Sequence, residues 1–173
     1  VGIGHVNSLA RGALNGALQK IDREILAAVC GAGPGLASSL PVDRRQEALW
    51  MAAAGGFLAV ARELLHMPGV DAAAKTEDGW TALMKAANGG HGEVVAMLLE
   101  APGVDAAAKD ENGYTALMRA AEGGHGEVVA MLLEAPGVDA AAQNEDGWTA
   151  LMLAAKGGHR EVVAMLLKAP GVD

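Results

Sequence analysis

The groups best suited to chemistry are a row of histidines and one cysteine. His91, His125 and His159 recur after Gly-Gly at intervals of 34 residues. Equivalent groups on adjacent packed helices stand roughly 10 Å apart, whereas a zinc ion holds each nitrogen at about 2 Å. The row therefore cannot share one ion, and His5 and His66 have no companion at ligand spacing. Cys30 is the only cysteine, so neither an intramolecular disulfide nor a thiolate cluster can form. Its expected role is that of a small buried hydrophobe, and Ala27-Ala28-Val29-Cys30 is a poor lipidation box because Val29 is not small and Asp22, Arg23 and Glu24 precede it.

Other catalytic patterns fail on context. Ser8, Ser38 and Ser39 lie in no nucleophile elbow. Gly31-Ala32-Gly33-Pro34-Gly35 follows a predicted helix and lacks the last glycine of a dinucleotide fingerprint, Gly2-Ile3-Gly4 has no strand before it, and there is no phosphate loop. The expectation is a non-enzyme with no catalytic, cofactor-binding or metal-binding residues.

Residues fit for recognition are more orderly. Trp80, Tyr114 and Trp148 occupy one place in successive units, just ahead of a predicted helix. They read either as rigid anchors for a partner or as rings that stack on the neighbouring loop and stiffen the array. Glu77, Asp78, Glu111, Asn112, Glu145 and Asp146 flank them and form either an acidic field suited to a basic partner or a solvated tip. The positions that vary between units include Lys85, Arg119 and Leu153, together with Asn88, Glu122 and Lys156, all on the helix that follows. These fifteen residues are the candidate partner-binding set, although drift on a tolerant surface produces the same variation.

The elements that carry these residues are repeats. Residues 76–109 and 110–143 differ at only six of 34 positions: Thr76/Asp110, Asp78/Asn112, Trp80/Tyr114, Lys85/Arg119, Asn88/Glu122 and Lys109/Gln143. Such self-similarity predicts a solenoid. Within one unit the spacing predicts a short helix over Thr81–Ala87, a break at Gly89-Gly90, a second helix over Glu93–Ala101 and a stop at Pro102-Gly103. Ala86 and Ala87 permit close approach, while Val94, Val95, Met97, Leu98 and Leu99 offer more apolar surface than one hairpin can bury, so units must stack.

Composition agrees. The chain of 173 residues is 51 % hydrophobic and 20 % charged, with only 3 % aromatic residues, which excludes a disordered chain and disfavours a large β-sandwich. Its net charge of −8 repels phosphate backbones, so nucleic acid is not an expected partner. Residues 1–46 carry five basic and three acidic side chains (+2), and the remaining eight and eighteen give −10 for residues 47–173. No stretch is long and apolar enough for a membrane span or a secretion signal, which makes a membrane partner unexpected and the cytoplasm or nucleus the expected location.

Asp78-Gly79-Trp80-Thr81-Ala82-Leu83 with Ala86-Ala87, then Gly90-His91, Val94-Val95 and Leu98-Leu99, resembles the ankyrin repeat, three times over. The resemblance implies an all-α ankyrin-repeat solenoid of helix-turn-helix units with short β-turn fingers, binding proteins by the concave face that fingers and first helices line. It also implies that His91, His125 and His159 make structural hydrogen bonds at the hairpin. Two departures stand out. Met84, Met118 and Met152 replace the family's usual histidine and are expected to pack apolarly, and Ala73, Ala107 and Ala141 replace the finger asparagine that is hydroxylated in some members.

The expected organisation is one domain over 1–173, about five units long: a degenerate amino-terminal cap repeat at 8–40, a divergent repeat at 41–75 whose finger is replaced by Arg44-Arg45-Gln46-Glu47, and near-identical repeats at 76–109, 110–143 and 144–173, the last truncated. Val1 and the stop at Asp173 partway through a unit are expected of a piece of a longer protein. The expected function is non-catalytic recognition of a protein partner, as a scaffold or adaptor. The alternative is a structural, engineered or self-associating array that stacks through an uncapped carboxy-terminal repeat.

Overall fold

The computed structural model describes residues 41–172. The cap repeat expected at 8–40, which includes Cys30, lies outside the described residues, as does His5. The described chain is an all-α solenoid of stacked helix pairs: α1 (Val42–Gly55) with α2 (Leu58–Leu65), α3 (Ala82–Gly89) with α4 (Gly92–Glu100), α5 (Ala116–Gly123) with α6 (Gly126–Glu134), and α7 (Ala150–Gly157) with α8 (Arg160–Leu166). First helices pack on first helices and second on second. Among the described residues the extended backbone amounts to one isolated antiparallel bridge, Lys75 to Thr81, at the base of a finger.

Local chemistry sets these boundaries. Thr81 is the N-cap of α3, its hydroxyl oxygen accepting the Met84 N–H at 3.2 Å, and Thr115 and Thr149 repeat the arrangement on α5 and α7. Such caps are worth about 0.5–2 kcal/mol each. The first helices end on glycines in the left-handed region, Gly90, Gly124 and Gly158 at φ 72–74°, a conformation that a Cβ disfavours. After each second helix Pro-Gly-Val-Asp reverses the chain, and the Asp carboxylate takes a backbone N–H two residues on: Ala73 from Asp71, Ala107 from Asp105 and Ala141 from Asp139, all at 2.9 Å.

One core runs the length of the stack. Leu64, Leu98, Leu132 and Leu166 on the second helices are each fully buried, worth about 1.5–3 kcal/mol apiece, and the alanine pairs of α3 and α5 are buried where neighbouring first helices meet. Met84 and Met118 are 1 % exposed, as the apolar reading requires, but Met152 is 48 % exposed. The cause is position: Met84 and Met118 are covered by the next helix pair, and nothing among the described residues covers Met152. The divergent repeat also departs from its neighbours, because Arg44–Glu47 are not a loop but the first turns of a 14-residue α1.

Candidate functional site

Three finger loops project in register ahead of α3, α5 and α7. Each closes on itself: the N–H groups of Thr76, Asp110 and Asn144 donate to the carbonyls of Trp80, Tyr114 and Trp148 at 2.8–3.0 Å. A short oxygen-bearing side chain at the first of these positions then accepts the N–H of the aromatic residue, from Thr76 at 3.1 Å, Asp110 at 2.9 Å and Asn144 at 2.8 Å. By sequence Thr76 and Asp110 are one of six differences between two units, and nothing there singles out Asn144. The available signal was that Thr, Asp and Asn share one ability, to accept a hydrogen bond from nearby backbone.

The fingers are also tied to one another. Glu111 N–H donates to the Asp78 carbonyl at 3.3 Å, and Glu145 N–H to the Asn112 carbonyl at 3.0 Å. Lower down, the Lys75 ammonium donates to the Lys109 carbonyl at 2.8 Å and the Lys109 ammonium to the Gln143 carbonyl at 2.9 Å. Glu77, Asp78, Glu111, Asn112, Glu145 and Asp146 are all exposed on this braced edge, and none makes an ion pair among the described residues.

Trp80, Tyr114 and Trp148 are half-buried and packed on the core. The Arg119 guanidinium lies 4.3 Å from the Trp80 ring centre and 3.9 Å from that of Tyr114, so it joins aromatics of successive units. It also donates to the buried Asp110 carboxylate at 2.7 Å and approaches Glu122 at 3.7 Å. Lys85 reaches Trp80 (5.4 Å) and Lys156 reaches Trp148 (5.0 Å). Burial lowers the Lys85 ammonium pKa below its usual value, an effect that Asp78 partly opposes.

Where Arg119 has its equivalent in the last unit, Leu153 is 3 % exposed and belongs to the core. Where Asp110 has its equivalent, Asn144 presents a buried amide nitrogen without a hydrogen-bond partner. Asn88, Glu122 and Lys156 are exposed at the ends of the first helices. Contacts thus join Lys85 and Arg119 to Trp80, Arg119 to Tyr114 and Glu122, and Lys156 to Trp148, while Leu153 lies beneath the surface.

The histidines have a different task. Nε2 of His91, His125 and His159 donates to the carbonyls of Ala54, Asn88 and Glu122 at 2.9–3.0 Å, each in the preceding unit. The bonds therefore join hairpins rather than closing one. His66 turns its Nδ1 to the Arg62 carbonyl at 2.7 Å. Among the described residues no group of three or more His, Cys, Asp or Glu side chains converges as metal ligands would, and no helix is long and apolar enough to cross a membrane.

A family model described as ankyrin repeats (3 copies) matches residues 13–110, 49–144 and 102–173. No curated protein matches the chain.

Proposed function

Because the chain belongs to the ankyrin-repeat family, whose members are generally protein–protein interaction modules, we propose that it is a non-catalytic recognition module that binds a protein partner through the face made by its fingers and first helices. The observation that carries this reading is the braced line of exposed fingertips, held at fixed spacing by the Glu111–Asp78 and Glu145–Asn112 backbone bonds. A surface ordered in advance avoids the entropy of ordering on binding. Its carboxylates favour a partner with a basic surface. Trp80, Tyr114 and Trp148 offer ring edges to that partner; Lys85, Arg119, Asn88, Glu122 and Lys156 vary its chemistry from unit to unit; Leu153 supports it from below.

The test is a lysate pull-down compared between the parent chain and a variant carrying Glu77→Gln, Asp78→Asn, Glu111→Gln, Glu145→Gln and Asp146→Asn. Prey retained by the parent and lost from the variant, with an unchanged melting temperature, supports the proposal. An identical prey set contradicts it. One observation favours a second reading, self-association: Met152 and Leu167 are 48 % and 58 % exposed at one end of the stack. In that reading this end packs on a second copy, and mass by light scattering rises with concentration.

A further inference from the structure

Asparagine followed by glycine is the least hindered place for a backbone nitrogen to attack a side-chain amide, because glycine has no Cβ. The pair occurs in this chain as Asn15-Gly16, Asn88-Gly89 and Asn112-Gly113, and the first lies outside the described residues. Asn88 and Asn112 are both exposed. Among the described residues neither side-chain amide makes a hydrogen bond, so what separates the two is the backbone that must supply the nucleophile.

Gly89 is the last residue of α3, where a helical N–H is held by a carbonyl one turn back. The Asn88 carbonyl accepts the His125 Nε2–H at 3.0 Å, and the His91 ring lies so close to Gly89 that a Cβ there would strike it. The Asn88-Gly89 peptide can rotate only if the end of α3 unwinds and a bond between units opens. Asn112-Gly113 stands instead at the tip of the second finger. There the Gly113 N–H closes a turn on the Asp110 carbonyl at 3.0 Å, and the Asn112 carbonyl accepts the Glu145 N–H at 3.0 Å. Exchanging such bonds for water at an exposed loop tip costs less than unwinding a packed helix.

We propose that Asn112 is a site of spontaneous deamidation. When the turn opens, the Gly113 nitrogen gives its proton to hydroxide or water and attacks Asn112 Cγ. The new C–N bond closes a cyclic imide, and the side-chain nitrogen takes a proton from water and leaves as ammonia. Water then adds to either imide carbonyl, so that overall one water is consumed and one ammonia released. Opening one way gives aspartate. Opening the other way gives isoaspartate, in which the main chain runs through the side-chain carbon and the former main-chain carbonyl becomes a pendant carboxylate.

The two products differ in what they do to the fingers. Aspartate is what the first and third fingers already carry, as Asp78 and Asp146, and the Asp78 carbonyl accepts the Glu111 N–H as that of Asn112 accepts the Glu145 N–H. This product adds a negative charge to the second fingertip and keeps the brace. Isoaspartate lengthens the turn and converts the carbonyl that serves Glu145 into a carboxylate off the main chain, so the tie between the second and third fingers is lost. Both outcomes follow whether or not the fingers bind a partner.

The experiment incubates the chain at mildly alkaline pH, folded and in parallel unfolded in guanidinium chloride, and follows Asn88 and Asn112 by proteolytic peptide mapping with mass spectrometry. In the folded chain Asn112 should deamidate at least about fivefold faster than Asn88, as a modest difference in opening cost requires. In the unfolded chain the two rates should agree within about threefold. Hydrogen exchange should then show the Glu145 amide losing protection in the isoaspartyl product and keeping it in the Asn112→Asp variant. Asn112 reacting no faster than Asn88 in the folded chain, or a rate ratio that survives unchanged in denaturant, would overturn the proposal. An isoaspartyl product whose Glu145 amide stays as protected as in the parent would overturn the loss of the tie.

Discussion

Where the unit of α3 and α4 meets that of α5 and α6, Arg119 packs on Trp80 and Tyr114 and closes on the buried Asp110; at the next joint, Leu153 and Asn144 stand at the equivalent positions. The two joints share most of their residues, but the exchange is accompanied by Tyr114/Trp148 and Glu122/Lys156. An ion pair braced by two rings at the first joint gives way to a buried leucine and a buried neutral amide at the second. Both members change together, as they must: a lone buried carboxylate would be costly, whereas a packed apolar replacement of a whole pair often costs little. Each joint leaves one buried nitrogen without a hydrogen-bond partner among the described residues, Arg119 Nε at the first and the Asn144 amide at the second.

The largest expected effect comes from breaking the exchange halfway. Arg119→Leu alone leaves the Asp110 carboxylate buried and unpaired and should cost about 3–5 kcal/mol in urea denaturation. Adding Asp110→Asn installs the second joint's chemistry in the first and should recover all but about 1 kcal/mol. A double variant as unstable as the single would show that the two joints are not interchangeable.

Position in the stack can be separated from chemistry with a matched residue. Met118→Ala should cost about 2–5 kcal/mol, and Met152→Ala less than about 1 kcal/mol, because one methionine is 1 % and the other 48 % exposed. Equal losses would mean that Met152 is covered in solution. A smaller contrast is expected at the helix ends. Gly158→Ala pays about 1–2 kcal/mol for its left-handed backbone, and Gly90→Ala must in addition displace the His125 ring, which a Cβ there would strike, while a Cβ at Gly158 meets nothing. Thermal melts of the two variants give the order.

The smallest effect is one of pH. Burial lowers the Lys85 pKa in the folded chain from 10.5, so over the window between that lowered value and 10.5 the unfolded chain holds a proton that the folded chain has released. Stability should therefore rise with pH through that window, and Lys85→Met should flatten the rise. A slope unchanged by the substitution would place the titration elsewhere.

The helix pairs and their need to stack were legible in the sequence, because Gly89-Gly90 and Pro102-Gly103 break the chain locally and a 34-residue period carries the pattern forward, whereas the Thr81 cap was not: the spacing counted Thr81 as the first helical residue. What escaped reading were contacts made by folding a finger back onto its own first helix. Asp110 and Arg119 are nine residues apart and meet only because the finger reverses, so Arg119 and Lys85 resembled free surface positions, and Leu153 resembled one too although it is buried. The histidine bonds were foreseen as structural, but their reach into the preceding unit depends on how hairpins stack. Met152 departs from the apolar packing expected of it for the same reason: burial there is decided by a neighbour, not by the unit itself.

Site-specific photo-crosslinking tests directly which face of the solenoid a partner meets. A benzophenone side chain introduced at Glu111, on a fingertip, and separately at Glu127, exposed on α6, would be irradiated with the prey recovered by the parent chain. Crosslinking from position 111 and not from 127 is the result expected of recognition by fingers and first helices. Crosslinking from 127 alone, or equally from both, would contradict it.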